Sequence, residues 1–126
     1  MDTKETVLVV DDDREIVGAI ALALEKEGYR VLRAYDGMEA LDHALDPELR
    51  LILMDVMMPV MDGLTAAREI HATNRVDAAE IPIFAMTANA FYDDVRQSKE
   101  AGMVEHLSKP IQEQELLDAI RRHVKR

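Results

Sequence analysis

LILMDVMMPVMDG, residues 51–63, is the stretch whose reading decides the fold. Four apolar residues lead to a single acid, Asp55, and a loop containing Pro59 and Asp62-Gly63 closes the segment. So short an apolar run, ended abruptly by a carboxylate and a Pro/Gly loop, predicts a strand buried on both faces of a parallel sheet. Ligands of open α/β sheets sit beyond the carboxyl ends of the strands, so Asp55 is predicted to face a functional crevice and not the core. Read alone, the same acid could be a helix cap or a solvated side chain. The remainder of the chain separates these readings.

On the amino-terminal side, residues 7–10 form a mostly β-branched run cut off by Asp11-Asp12-Asp13, which predicts a first strand ending at an acidic cluster. Residues 15–27 are rich in helix formers and stop at Gly28, and residues 29–34 read as a short, charged edge strand. Residues 37–45 repeat the helical spacing through Met38, Leu41 and Leu45, with Pro47 beyond their end. On the carboxyl side, Asp62 caps a third helix carrying Leu64, Ala67 and Ile70 on one face. A fourth strand is predicted over 81–86, a fourth helix over 92–101 closed by Gly102, a fifth strand over 104–107 and a last helix over 113–124.

Alternation of this kind implies a doubly wound, five-stranded parallel sheet with five helices distributed over both faces and right-handed crossovers. The strand order 2-1-3-4-5 brings Asp11 and Asp12, Asp55, Thr87 and Lys109 to one row of strand ends. Clustered carboxylates repel one another and call for a cation, and with no His or Cys among them all-oxygen ligation favours Mg²⁺. Magnesium normally shares itself with phosphate. Lys109 and the Thr87 hydroxyl would contact oxygens of a transferring phosphoryl group, which leaves Asp55 as the carboxylate nucleophile.

Composition narrows the class. A chain of 126 residues fits a single domain, 1–126, with 48% hydrophobic and 32% charged residues. No apolar run approaches the length of a membrane span, no basic-then-apolar leader is read at the amino terminus, and no membrane insertion is expected. The absence of cysteine excludes disulfides and thiolate metal sites and suits a cytoplasmic protein. Fifteen Lys and Arg against 25 Asp and Glu, a formal charge of -10, argue against direct nucleic acid binding.

Jointly, VLVVDDD, LILMDVMMPVMDG, FAMTANA and HLSKPI, spread over residues 7–111, resemble the receiver domain of two-component response regulators. The resemblance implies a flavodoxin-like fold, with Asp55 as the phosphoacceptor that takes a phosphoryl group from a phosphohistidine on a histidine kinase or histidine phosphotransfer domain. It makes Asp12 the direct metal ligand, Asp11 its water-mediated companion, and the Met57 carbonyl the protein's remaining Mg²⁺ ligand. Thr87 matches the switch hydroxyl, and Lys109 the active-site amine, with Pro110 after a cis bond. His106 stands where many receivers carry a switching Tyr or Phe. The motifs AGMVEHLSKPI and MTANAF are more similar to receivers of hybrid sensor kinases than to those of transcription factors. Phosphorylation would then switch a surface around Phe91, Val95 and His106, with room for a phosphorylation-dependent dimer.

Helix one, IVGAIALAL over 16–24, is apolar almost all round. Ile16, Ile20 and Leu24 are predicted to face the sheet, leaving Val17, Ala21 and Leu22 as a partner-docking surface beside Asp55. Asp13 reads either as a first-turn acid stabilising this helix or as a further contributor to the site. His43, His71 and His123 read as solvated. Two rivals stand beside phosphoacceptance: an aspartyl-phosphate phosphatase, which needs a second Asp where Met57 stands, and a non-phosphorylated scaffold, which has no need of the intact acid, hydroxyl and lysine set.

Overall fold

The computed structural model describes residues 5–56, 62–73, 80–87, 96, 97 and 99–124. Strands β1 (Thr6–Val10), β2 (Arg30–Ala34), β3 (Leu49–Asp55), β4 (Ile83–Thr87) and β5 (Glu105–Ser108) form one sheet of order β2-β1-β3-β4-β5. All four pairings are parallel. This is the doubly wound arrangement expected from the alternation of elements.

The pleat sends alternate side chains to two separate cores. Val7, Val9, Leu51, Leu53, Phe84, Met86 and Leu107 pack under α1 (Arg14–Lys26) and α4 (Glu113–His123). Leu8, Val10, Ile52, Met54, Ile83 and Ala85 pack under α2 (Gly37–His43) and α3 (Gly63–His71). β1, β3 and β4 are buried along nearly their whole length, which is why their sequences are apolar runs and not alternations. Thr6 pairs with Leu49 but Val7 with Leu51, so β3 carries one extra residue there, and Leu49 shares a core with Ile52 three residues on, where strict alternation would part them.

Four helices are formed among the described residues. Of the further helix expected over 92–101, residues 96, 97, 99 and 100 are helical, and 92–95 and 98 lie outside the described residues. Three helices begin at an aspartate whose carboxylate accepts first-turn N–H groups: Asp13 for α1, Asp36 for α2 and Asp62 for α3. Helix α1 runs out at Gly28, whose φ of 92° an L side chain rarely adopts.

The phase of α1 differs from the sequence expectation. Val17 and Ala21 are fully buried, together with Ile20 and Leu24, whereas Ile16 is only half-buried. Residues spaced by four precess by about 40° per step around a helix, so 16, 20 and 24 cannot hold one sheet-facing line as closely as 17, 20, 21 and 24 do. Val17 and Ala21 therefore belong to the core and do not form an outer surface; of the three residues assigned to that surface, Leu22 alone is exposed, at 58%.

Candidate functional site

The carboxyl edge of the sheet collects the chemistry. Asp11 follows β1 directly, Asp55 is the last residue of β3, Thr87 the last of β4, and Lys109 follows β5. Asp11, Asp55 and Thr87 are buried, with Asp12 exposed at the rim. One carboxylate oxygen from each of Asp11, Asp12 and Asp55 lies within 4.8 Å of the others. Lys109 Nζ is 2.7 Å from Asp11 Oδ2 and 3.4 Å from Asp55 Oδ1.

The backbone fixes these groups. The Asp11 N–H donates to the Ala34 carbonyl at 3.2 Å, tying the end of β1 to the end of β2. The Asp13 N–H donates to Asp11 Oδ1 at 3.0 Å, so the loop that opens α1 also orients the buried acid. Asp13 itself caps α1, accepting from the Glu15 and Ile16 N–H groups at 3.0 and 3.3 Å. On the far side, the Lys109 N–H donates to the Thr87 carbonyl at 2.9 Å, holding the lysine at the sheet edge. The Lys109-Pro110 bond is cis.

Charge dictates what the pocket can accept. Burial by itself would pull the Lys109 ammonium downward, but its hydrogen bond to Asp11 and the charges of Asp55 and Asp11 outweigh that and hold it above its ordinary value of 10.5. Lys109 is thus a fixed cation among three carboxylates, and the acids exceed it. In octahedral Mg²⁺ sites with bonds near 2.1 Å, ligand oxygens sit about 3.0 Å apart when adjacent and about 4.2 Å apart when opposite. The three carboxylates, each with an oxygen within 4.8 Å of the others, have the hard-oxygen character such an ion takes and need only close slightly around it.

A model of the response regulator receiver domain matches residues 7–121. The chain belongs to the response regulator receiver domain family. As a receiver, it is 36% identical over 120 residues to the transcriptional regulatory protein CpxR of Escherichia coli K12, covering 95% of this chain and 49% of CpxR. The chain therefore spans about half the length of the curated relatives it matches. The receiver of the sensor histidine kinase PA1611 from Pseudomonas aeruginosa, solved with a magnesium ion coordinated in its active site cleft, is 36% identical with a TM-score of 0.86, covering 96% of this chain and 98% of that one. The chemotaxis protein CheY4 of Vibrio cholerae is 30% identical with a TM-score of 0.90, over 97% of this chain and all of that one.

The structure brings Asp11, Asp12, Asp55, Thr87 and Lys109 to one edge of the sheet; Met57 lies outside the described residues, as do Phe91 and Val95. His106 is half-buried in β5, opposite Ala85 of β4. It alternates with Glu105 and Leu107, which face α4, so its side chain lies on the other face of the sheet.

Some contributors carried no signal in the sequence. Gly63 opens α3 against the backbone of Asp55 and Val56, donating its N–H to the Val56 carbonyl at 2.9 Å, where a Cβ would have no room. Two histidines read as solvated are engaged. His71 Nε2 lies 3.2 Å from the Ile81 carbonyl. His123 meets Glu105 at 2.9 Å and sets its ring edge-on to Phe84. Only proximity in space, invisible at separations of 10 and 18 residues, discloses either. Among the described residues, no helix is long and apolar enough to cross a membrane.

Proposed function

We propose that this receiver takes a phosphoryl group onto Asp55 from a phosphohistidine on a histidine kinase or histidine phosphotransfer domain, in a Mg²⁺-dependent reaction. The observation that carries this reading is the meeting of Asp11, Asp12 and Asp55 within 4.8 Å, with Lys109 bridging the two buried acids. When bound among these carboxylates, Mg²⁺ would neutralise the charge of an incoming phosphoryl group. Asp11, Asp12 and Asp55 would hold it, with the carbonyl of Met57 as a further ligand.

The chain's own groups divide the remaining work. An Asp55 carboxylate oxygen bonds to phosphorus as the P–N bond breaks, and the imidazole leaves with the bonding pair. Lys109, already a cation within reach of Asp55, compensates charge on the phosphoryl oxygens, and burial of Asp55 strengthens that attraction. The Thr87 hydroxyl donates to the same oxygens. Phosphorylation then favours the conformer in which Thr87 and Lys109 reach the phosphoryl group, with His106 as the ring that follows Thr87.

The donor's approach is proposed to run along α1. Val17 and Ala21 are excluded by burial, so exposed Leu22 remains, joined by an open groove of about 440 Å³ lined by Ile16, Ala19, Ile20, Lys109, Pro110 and Ile111. This groove begins at the site's own lysine, so a partner's apolar helix face lying in it would stand beside the site. Incubation with Mg²⁺ and acetyl phosphate, followed by intact-mass measurement, tests the reading: one phosphoryl group is expected on the wild type and none on Asp55→Asn. An unmodified wild type would refute it.

A further inference from the structure

The Arg14 guanidinium lies 3.9 Å above the centroid of the Tyr35 ring. Arg14 is the first residue of α1, so its cation sits at the positive end of the helix dipole, a place that disfavours a cation and that the Tyr35 ring offsets. Both partners are close along the backbone to the acids at the end of β1. Two trans peptide units put the Arg14 and Asp12 Cα atoms at most about 7.6 Å apart. Tyr35 follows Ala34, whose carbonyl accepts the Asp11 N–H at 3.2 Å.

The pocket thus has a cation on each side. Lys109, on the β5 side, is paired with Asp11 and Asp55. Arg14, on the β2 side, is exposed, and among the described residues no carboxylate lies within ion-pair distance of it. A neutral aromatic face holds its position without cancelling its charge. In a chain of net charge -10, that leaves, among the described residues, an unpaired positive charge two residues from Asp12 for an approaching anion to meet.

We propose that Arg14, positioned by Tyr35, is a specificity-determining residue that favours phosphodonors of higher negative charge. The inference rests on phosphorylation of Asp55, and its test separates the two. The purified chain with Mg²⁺ is labelled by acetyl phosphate, a dianion, or by phosphoramidate, a monoanion at neutral pH, at low and at 1 M salt. Wild-type labelling by both donors, absent in Asp55→Asn, checks the underlying reaction; no labelling would overturn it and this inference with it. At low salt Arg14→Gln is expected to slow acetyl phosphate roughly fivefold and phosphoramidate only about twofold, the effect of one charge acting through water over about 9 Å. At 1 M salt, where screening acts within about 3 Å, the two losses should converge. Arg14→Lys should keep most of the wild-type preference and Tyr35→Leu should fall between. Labelling that proceeds with an unchanged donor ratio in Arg14→Gln, or an Arg14→Lys variant as impaired as Arg14→Gln, would overturn the role of the charge.

Discussion

Substituting Gly63 by Ala presses directly on the strand that carries Asp55. A Cβ at position 63 would stand 2.9 Å from Val56 Cα and 3.0 Å from the Asp55 carbonyl carbon, with the Asp55 carbonyl oxygen nearer still. All three are backbone atoms, and β3 is held between β1 and β4, so no side chain can rotate away to make room. The start of α3 must back off, weakening the Gly63 N–H bond to Val56 and the packing of Ala66, Ala67 and Ile70. Overpacking of this kind costs about 1–3 kcal/mol. With an unfolding entropy of about 2.1 cal/mol/K per residue over 126 residues, the expected fall in Tm is about 4–11 °C. Displacement of Asp55 should also slow labelling by acetyl phosphate by about tenfold, since misplacement by about 1 Å can cost a hundredfold. Calorimetry and labelling kinetics on Gly63→Ala measure both. A Tm unchanged within about 1 °C and an unaltered rate would refute the contact between Gly63 and the nucleophile's backbone.

Four other substitutions separate structural from functional residues. Val17→Glu should prevent stable folding, because it buries a charge, whereas Leu22→Glu should leave urea denaturation within about 0.5 kcal/mol and slow transfer from a phosphohistidine donor while sparing acetyl phosphate. Equal slowing of both donors would remove Leu22 from the docking surface. Lys109→Met strands Asp11 and Asp55 without their cation, so a loss of about 3–5 kcal/mol is expected without Mg²⁺, partly recovered when Mg²⁺ is added; urea midpoints with and without the ion decide this. Burial raises the Glu105 carboxyl, but Arg122 and His123 outweigh it and hold the group below its ordinary 4.5. Its contribution is therefore complete above about pH 4.5 and lost as pH falls through the lower folded value. Glu105→Gln should be less stable than wild type at pH 7, with the gap closing in acid; a gap constant from pH 7 to 3 would contradict the ion pair.

What could be read in the sequence was whatever abrupt chemical boundaries encode. β1 and β3 each stop at an acid, and the strand order then dictated that Asp11, Asp12, Asp55, Thr87 and Lys109 share one edge. The phase of α1 is not legible, because a helix apolar almost all round offers no polar stripe to mark its outer face, and Val17 and Ala21, expected outside, are in the core. Gly63 looked like loop punctuation, since the strand end it backs against is defined only by the fold. His71 and His123 sit among charged neighbours in sequence, and their partners Ile81 and Glu105 arrive from other elements. The Arg14–Tyr35 pair is hidden in the same way, by a crossover from β1 to β2.

The most direct measurement localises the phosphoryl group. After labelling with acetyl phosphate and Mg²⁺, borohydride reduction converts an aspartyl phosphate to homoserine, and peptide mass spectrometry reads which residue changed. Homoserine is expected at position 55, dependent on Mg²⁺ and absent when Asp12 is replaced by Ala. Conversion at another acid, or none at all, would contradict the assignment of Asp55 as the phosphoacceptor.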